Sequence, residues 1–237
     1  MPAKDNISNH SKARRKQLLD ATLKVIARRG LTGITINDIA REAGCSYGVI
    51  AFHFETKERL LLSALDHLAQ SYREVWRAAL ARTSDDPAEK LRALIEIDFD
   101  PRVAKSRHLA VWMAFWAEAG RVPAYRQHCA RLKRESSDIV LSLIADLVAE
   151  RGSSAAPELI AQGLYAITDG AWVYSHVTGQ NSPKHRARSK QLCLTYLAAF
   201  FPERFVAEGS AASAAREGAV IDETPASADD AGNRSIQ

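Results

Sequence analysis

Trp112, Phe115, Trp116 and Ala119 fall at i, i+3, i+4 and i+7, which draws an aromatic stripe along one helix. Tyr165, Asp169 and Trp172 fall at i, i+4 and i+7 on another. Ring faces attract a cation without needing hydrogen bonds, so an aromatic box beside a carboxylate suits a quaternary ammonium. Choline or a related trimethylammonium compound is the sharpest ligand expectation, and a different apolar small molecule is the alternative. Asp98 and Glu118 are further candidates for the partner of the cation. The same spacings also describe large core residues with Asp169 paired to an arginine, and both readings stay open.

Other chemistries find little support. The seven histidines are scattered without metal-ligand spacing, and the chain has no HExxH, no GxSxG and no glycine-rich phosphate loop. No catalytic residue, metal site or cofactor is therefore expected. Asp98 and Asp100 flank Phe99 just before Pro101 and read most simply as a helix terminus. The three cysteines (Cys45, Cys129, Cys193) are far apart and form no CxxC pair, which suits reduced thiols in a cytoplasm. No apolar run approaches the ~18 residues of a membrane span.

The net charge of +4 hides an asymmetry. Residues 1–60 hold eleven Lys and Arg against six Asp and Glu, so this quarter alone carries +5. A basic end of this kind points to a polyanionic partner. Residues 206–237 are rich in Ala, Ser, Gly and acids without an aromatic residue, and are expected to form a disordered tail.

The elements that position these residues read as helices throughout. No window alternates with period two over strand length, and about nine helices without an internal repeat are expected. The rhythm of Leu18, Leu19, Thr22, Leu23, Val25 and Ile26 stops at Gly30, a helix C-cap. Further on, Asp85–Pro87 breaks the chain, "RVAKSRHLAVWMAFWAEAG" follows Pro101, and Pro123, Pro157 and Pro183 open three more helices.

The most specific stretch is "TINDIAREAGCSYGVIAFHFETKERLL", from Thr35 to Leu61. Thr35 caps a helix over Ile36–Ala43 with Asp38 at N3, Gly44 ends it, Ser46 caps a second helix to about Phe54, and Thr56 caps a third. Two short helices around a glycine turn form the helix-turn-helix plan, whose second helix enters a DNA major groove. Ile36, Ile39, Ala40, Ala43, Phe54 and Val49 or Ile50 form the packed side. Ser46, Tyr47, Gly48, Phe52 and His53 are left facing outward. Arg15, Thr35 and Lys57 complete the expected DNA-binding set, with Lys57 and the start of the third helix suited to a phosphate.

The stretch "TGITINDIAREAGCSYGVIAFHFETKERLL" resembles the DNA-binding head of TetR-family repressors, over roughly Arg14–Leu65. Cys45 replaces the usual valine, and Ala51 stands where many members carry a tyrosine that contacts phosphate. "FDPRVAKSRHLAVWMAFWAEA" and "YAITDGAWVYSHVTGQ" further resemble the choline-responsive branch of that family. The resemblance implies an all-α protein with a three-helix head at 1–60 and a ligand-binding and dimerisation body at 61–205. It also implies a homodimer on a near-palindromic operator, released by a small effector. The last two helices are then expected to form the dimer interface through Leu164, Ile167, Ala171 and Tyr174 and through Leu192, Tyr196, Ala199 and Phe200, with Gly163 and Gly170 permitting close approach. The competing expectations are an α-helical enzyme and an architectural DNA binder without sequence preference.

Overall fold

The computed structural model describes residues 3–205, with side chains from His10 onward; the expected tail at 206–237 lies outside the described residues. These residues form nine helices and no strand: α1 (Ala3–Arg29), α2 (Ile36–Ala43), α3 (Tyr47–Phe54), α4 (Lys57–Leu80), α5 (Pro87–Asp98), α6 (Ser106–Ala119), α7 (Pro123–Arg151), α8 (Pro157–Thr178) and α9 (Pro183–Phe200). None of them is long and apolar enough to cross a membrane.

The boundaries follow the local chemistry. The Thr35 hydroxyl accepts from the Asp38 amide at 3.2 Å while the Thr35 amide donates to the Asp38 carboxylate at 2.9 Å, a complete capping box. Ile34 and Ile39, at N′ and N4, are both buried, as a hydrophobic staple requires. Gly44 sits at φ 63°, a left-handed turn that a side chain would strain, and Cys45 then donates back to the Ala40 carbonyl at 3.0 Å. Thr56 caps α4 through the Arg59 amide, Asp86 caps α5 through the Ala88 and Glu89 amides, and Ser182 caps α9 through His185. Prolines stand in the first turn of α5, α7, α8 and α9, where a missing N–H costs nothing.

Two boundaries differ from expectation. Residues after Pro101 turn before α6 begins at Ser106, because Asp100 accepts from the Arg102 amide at 2.6 Å and pairs with its guanidinium, holding the chain in a local turn. Ser46 stands at the N-cap of α3, yet its hydroxyl caps nothing.

One core runs through the described residues. α1 packs on α2, α4 and α6; α7 packs on α5, α6 and α8; α8 packs on α6 and α9. After α9, Phe201 and Phe205 turn inward and are buried, and Arg92 of α5 lies over the Phe205 ring at 5.3 Å. α6 therefore touches both the N-terminal helices and the C-terminal bundle.

Candidate DNA-binding face and effector cavity

At the N-terminal end, α1 holds α2 through ion pairs: Arg28 with Glu42 and Arg29 with Asp38. Lys24 also approaches Glu42, and Lys16 pairs with Asp20. Much of the basic excess of the first quarter is thus turned on its own acids. Arg15 instead lies over the Phe54 ring at 4.7 Å.

α3 divides cleanly. Ile50 and Phe54 are buried against α2 and α4, while Phe52 is 83% exposed and Tyr47 56% exposed. Ser46, Tyr47 and Gly48 form an exposed edge, His53 is half-buried, and Lys57 is the first residue of α4. An alanine methyl at Gly48 would meet only the Ser46 hydroxyl, at 3.8 Å, so nothing inside the protein requires glycine there. Glu55, between α3 and α4, has φ 57°, the one positive value at a non-glycine residue among the described residues. That conformation costs free energy and concentrates at functional turns. The hydroxyl of Thr35 is occupied by its capping box, which makes it a scaffold for the face.

In the C-terminal bundle, a cavity partly open to solvent lies between α4, α5, α6, α7 and α8. All four tryptophans of the chain line it: Trp76, Trp112, Trp116 and Trp172. Tyr72 and Tyr165 join them. The Trp112 and Trp116 rings lie 6.3 Å apart, and the Trp172 indole N–H donates to the Asp98 carbonyl at 3.0 Å. The Asp98 carboxylate faces the cavity and accepts from the Tyr72 hydroxyl at 2.6 Å. Enclosure raises the pKa of Asp98 to about 6, with Asp169 adding to the rise, against the lowering effects of Tyr72 and Lys133. Burial also pushes the Cys193 thiol up to about 11, so it is no nucleophile.

The outer wall of the cavity holds a second carboxylate, Asp169, paired with Lys133 at 2.5 Å. The Lys133 ammonium stands 5.3 Å from the Trp116 ring centroid and 5.1 Å from that of Tyr165. Arg73 and Glu135, also lining the cavity, pair at 2.7 Å. The series continues along α7 from Glu135 to Arg131, then to Asp66 on α4, which His128 also contacts. The next residue of α4, His67, meets Asp20 on α1.

Residues 18–64 match the bacterial regulatory proteins of the tetR family, and residues 87–202 match the C-terminal domain of BetI-type transcriptional repressors. The HTH-type transcriptional regulator BetI of Paraburkholderia xenovorans is 32% identical over 170 residues, 70% of this chain and 84% of that one. The chain belongs to the TetR family. A BetI of Stenotrophomonas maltophilia is 30% identical over 175 residues, 74% of this chain and 87% of that one. A protein of Pseudomonas aeruginosa PAO1 described as a transcriptional regulator shares the fold with a TM-score of 0.72 and 25% identity, over 82% of this chain and 94% of that one. Another, from Saccharomonospora viridis and crystallised in complex with choline, gives a TM-score of 0.68 and 25% identity, over 78% of this chain and 96% of that one. This TetR-family member is a transcriptional regulator with a BetI-type C-terminal domain, not an enzyme.

Of the six residues expected to bind the effector, the cavity brings together five: Trp112, Trp116, Tyr165, Asp169 and Trp172. Phe115 is the exception. It is fully buried in the core edge-to-face on Tyr125, because neighbours on a helix diverge by ~100° and Trp116 already faces the cavity. Asp169 is paired, to a lysine and not the arginine expected of a core role. Sequence reasoning missed Tyr72, Trp76 and Lys133. Tyr72 and Trp76 fall at i and i+4, the same signal that marked the other helices.

The residues expected at the dimer interface of this TetR-family chain separate as well. Tyr174 and Leu192 are exposed, Ala199 is exposed, and Ile167, Ala171 and Phe200 are half-buried. Leu164 is buried within the chain, and the Tyr196 hydroxyl donates to the Ile160 carbonyl. Gly163 serves that internal contact: a methyl there would meet the Tyr196 hydroxyl at 2.0 Å. Gly170 faces open space. Leu159, Val173 and Val177, absent from the expected stripes, extend the exposed apolar face of α8.

Proposed function

We propose that this chain is a ligand-responsive repressor that binds a near-palindromic operator as a homodimer and is released by a small quaternary ammonium, with choline the best fit. The observation that carries the effector is the convergence of all four tryptophans and two tyrosines on one cavity with an enclosed carboxylate, Asp98. Ring faces and a desolvated carboxylate attract a cation that has no proton to donate. The choline complex of the Saccharomonospora viridis neighbour supports the same class.

The DNA reading assigns residues 1–60 to the head, with Ser46, Tyr47, Gly48, Phe52, His53, Lys57 and Arg15 on the contact face and Thr35 fixing α2. The exposed apolar residues of α8 and α9 support pairing with a second copy. Two heads would then meet half-sites about 34 Å apart. Control follows from α6, which carries Trp112 and Trp116 on one side, packs against α1, and ends where Glu118 accepts from Thr32 at 3.4 Å. A cation favouring a different placement of α6 shifts the heads by its differential affinity alone, and ~1.4 kcal/mol of coupling loosens the operator tenfold.

Calorimetric titration tests the effector, using choline and its uncharged carbon isostere 3,3-dimethylbutan-1-ol on the wild type and on Asp98→Asn. Choline should bind the wild type and lose about tenfold or more on Asp98→Asn, with the isostere similarly weak on both. Equal affinities for choline and isostere would remove the cation box from the account.

A further inference from the structure

The cavity already holds a cation of its own. Lys133 stands within 5.3 Å and 5.1 Å of two ring centroids and is paired with Asp169, so three sides of a cation site are filled by one ammonium. Both ring distances lie inside the ~6 Å range of cation–π attraction. Lys133, Tyr165 and Asp169 also line a second, outer cavity between α7 and α8, whose wall carries Asp138 and Glu158. The same three residues are thus the partition between an outer acidic vestibule and the inner aromatic chamber.

We infer that Lys133 is a specificity-determining resident cation, which an incoming quaternary ammonium displaces by entering from the outer cavity and taking over Asp169 and the faces of Trp116 and Tyr165. This rests on the cation reading of the cavity and adds to it the residue that decides what enters. A neutral ligand of the same shape cannot make the exchange, because removing Lys133 would leave Asp169 and two ring faces without positive charge. A quaternary ammonium replaces that charge, and the freed lysine meets Asp138 and Glu158 in the vestibule. Asp98 stays available inside as a second carboxylate, so the chamber tolerates the added charge. The exchange also changes a contact between α7 and α8, the helix that carries the exposed apolar face.

The test combines a variant with a labelling measurement on the unaltered chain. Lys133→Met keeps the length of the side chain and removes the ammonium. It should bind choline about tenfold tighter or more, the gain expected when a resident holds the site ~90% of the time. In the wild type, amine acetylation of Lys133 read by mass spectrometry should rise when choline is added, because the ammonium leaves its carboxylate and rings. Choline binding with unchanged or reduced labelling overturns the exchange while leaving the effector reading intact, even if Lys133→Met binds more tightly. Unchanged or weaker binding by Lys133→Met overturns it as well. If neither choline nor tetramethylammonium binds either protein, the cation reading falls and the exchange falls with it.

Discussion

The α2–α3 pair and the cavity of the bundle use aromatic side chains in opposite ways. On α3, Phe52 and Tyr47 are turned to solvent, 83% and 56% exposed, whereas Trp112 and Trp172 keep only 9% and 7% of their surface. Large apolar groups left in water are retained where a partner covers them. Aromatic groups gathered around an enclosed carboxylate make a chamber for something small and charged. The first arrangement suits contact with an outside surface and the second suits the entry of a small molecule.

The largest effect should come from breaking the division within α3. Phe54→Ala removes a buried ring and should cost about 3–5 kcal/mol of stability, taking operator binding with it. Phe52→Ala, two residues away, should leave stability within ~0.5 kcal/mol and still weaken operator binding. Thermal melts paired with DNA titration check both, and a Phe52→Ala protein with full operator affinity would remove that residue from the face.

A smaller effect tests the cavity. Asp98 titrates near pH 6 because its enclosure disfavours the charge. Its raised pKa favours folding fully at pH below the ordinary carboxyl value and loses that contribution as pH rises through about 6. On the proposed reading choline pairs with the ionised form, so protonation competes with binding, with Tyr72, Lys133 and Asp169 as the neighbours that tune the carboxylate. Since choline itself does not titrate, its affinity at pH 5 should be about tenfold below that at pH 7. A flat profile by calorimetry would mean that the Asp98 charge does not contribute to choline binding.

The smallest effect concerns Gly48. Alanine fits there without a clash and should raise stability by up to ~1 kcal/mol. Operator affinity should fall nonetheless, because the missing side chain serves close approach of DNA. Stabilisation without loss of affinity would make Gly48 incidental.

How far each region could be read beforehand follows the same division. The capping box at Thr35, the turn at Gly44 and the caps at Thr56 and Ser182 are local devices, and each stands where its residues imply. The cavity is not local: Tyr72 and Trp172 lie a hundred residues apart and meet only through helix packing. Periodicity marks Trp112 and Trp116 as one stripe but does not tell which side Phe115 takes. Nor does it show that Lys133 reaches across from α7 to Asp169, since a lysine on an amphipathic helix is ordinarily read as solvated. Likewise the pattern of Gly163 and Tyr196 gives no sign that the two also meet each other between α8 and α9 of the same chain.

The most direct test of the account is selection of bound sequences from a random DNA pool by the full chain, repeated with choline present. The account predicts a near-palindrome enriched without choline and lost with it. A palindrome enriched equally in both would contradict choline as the releasing effector, and no enriched site at all would contradict the DNA-binding role given to α3.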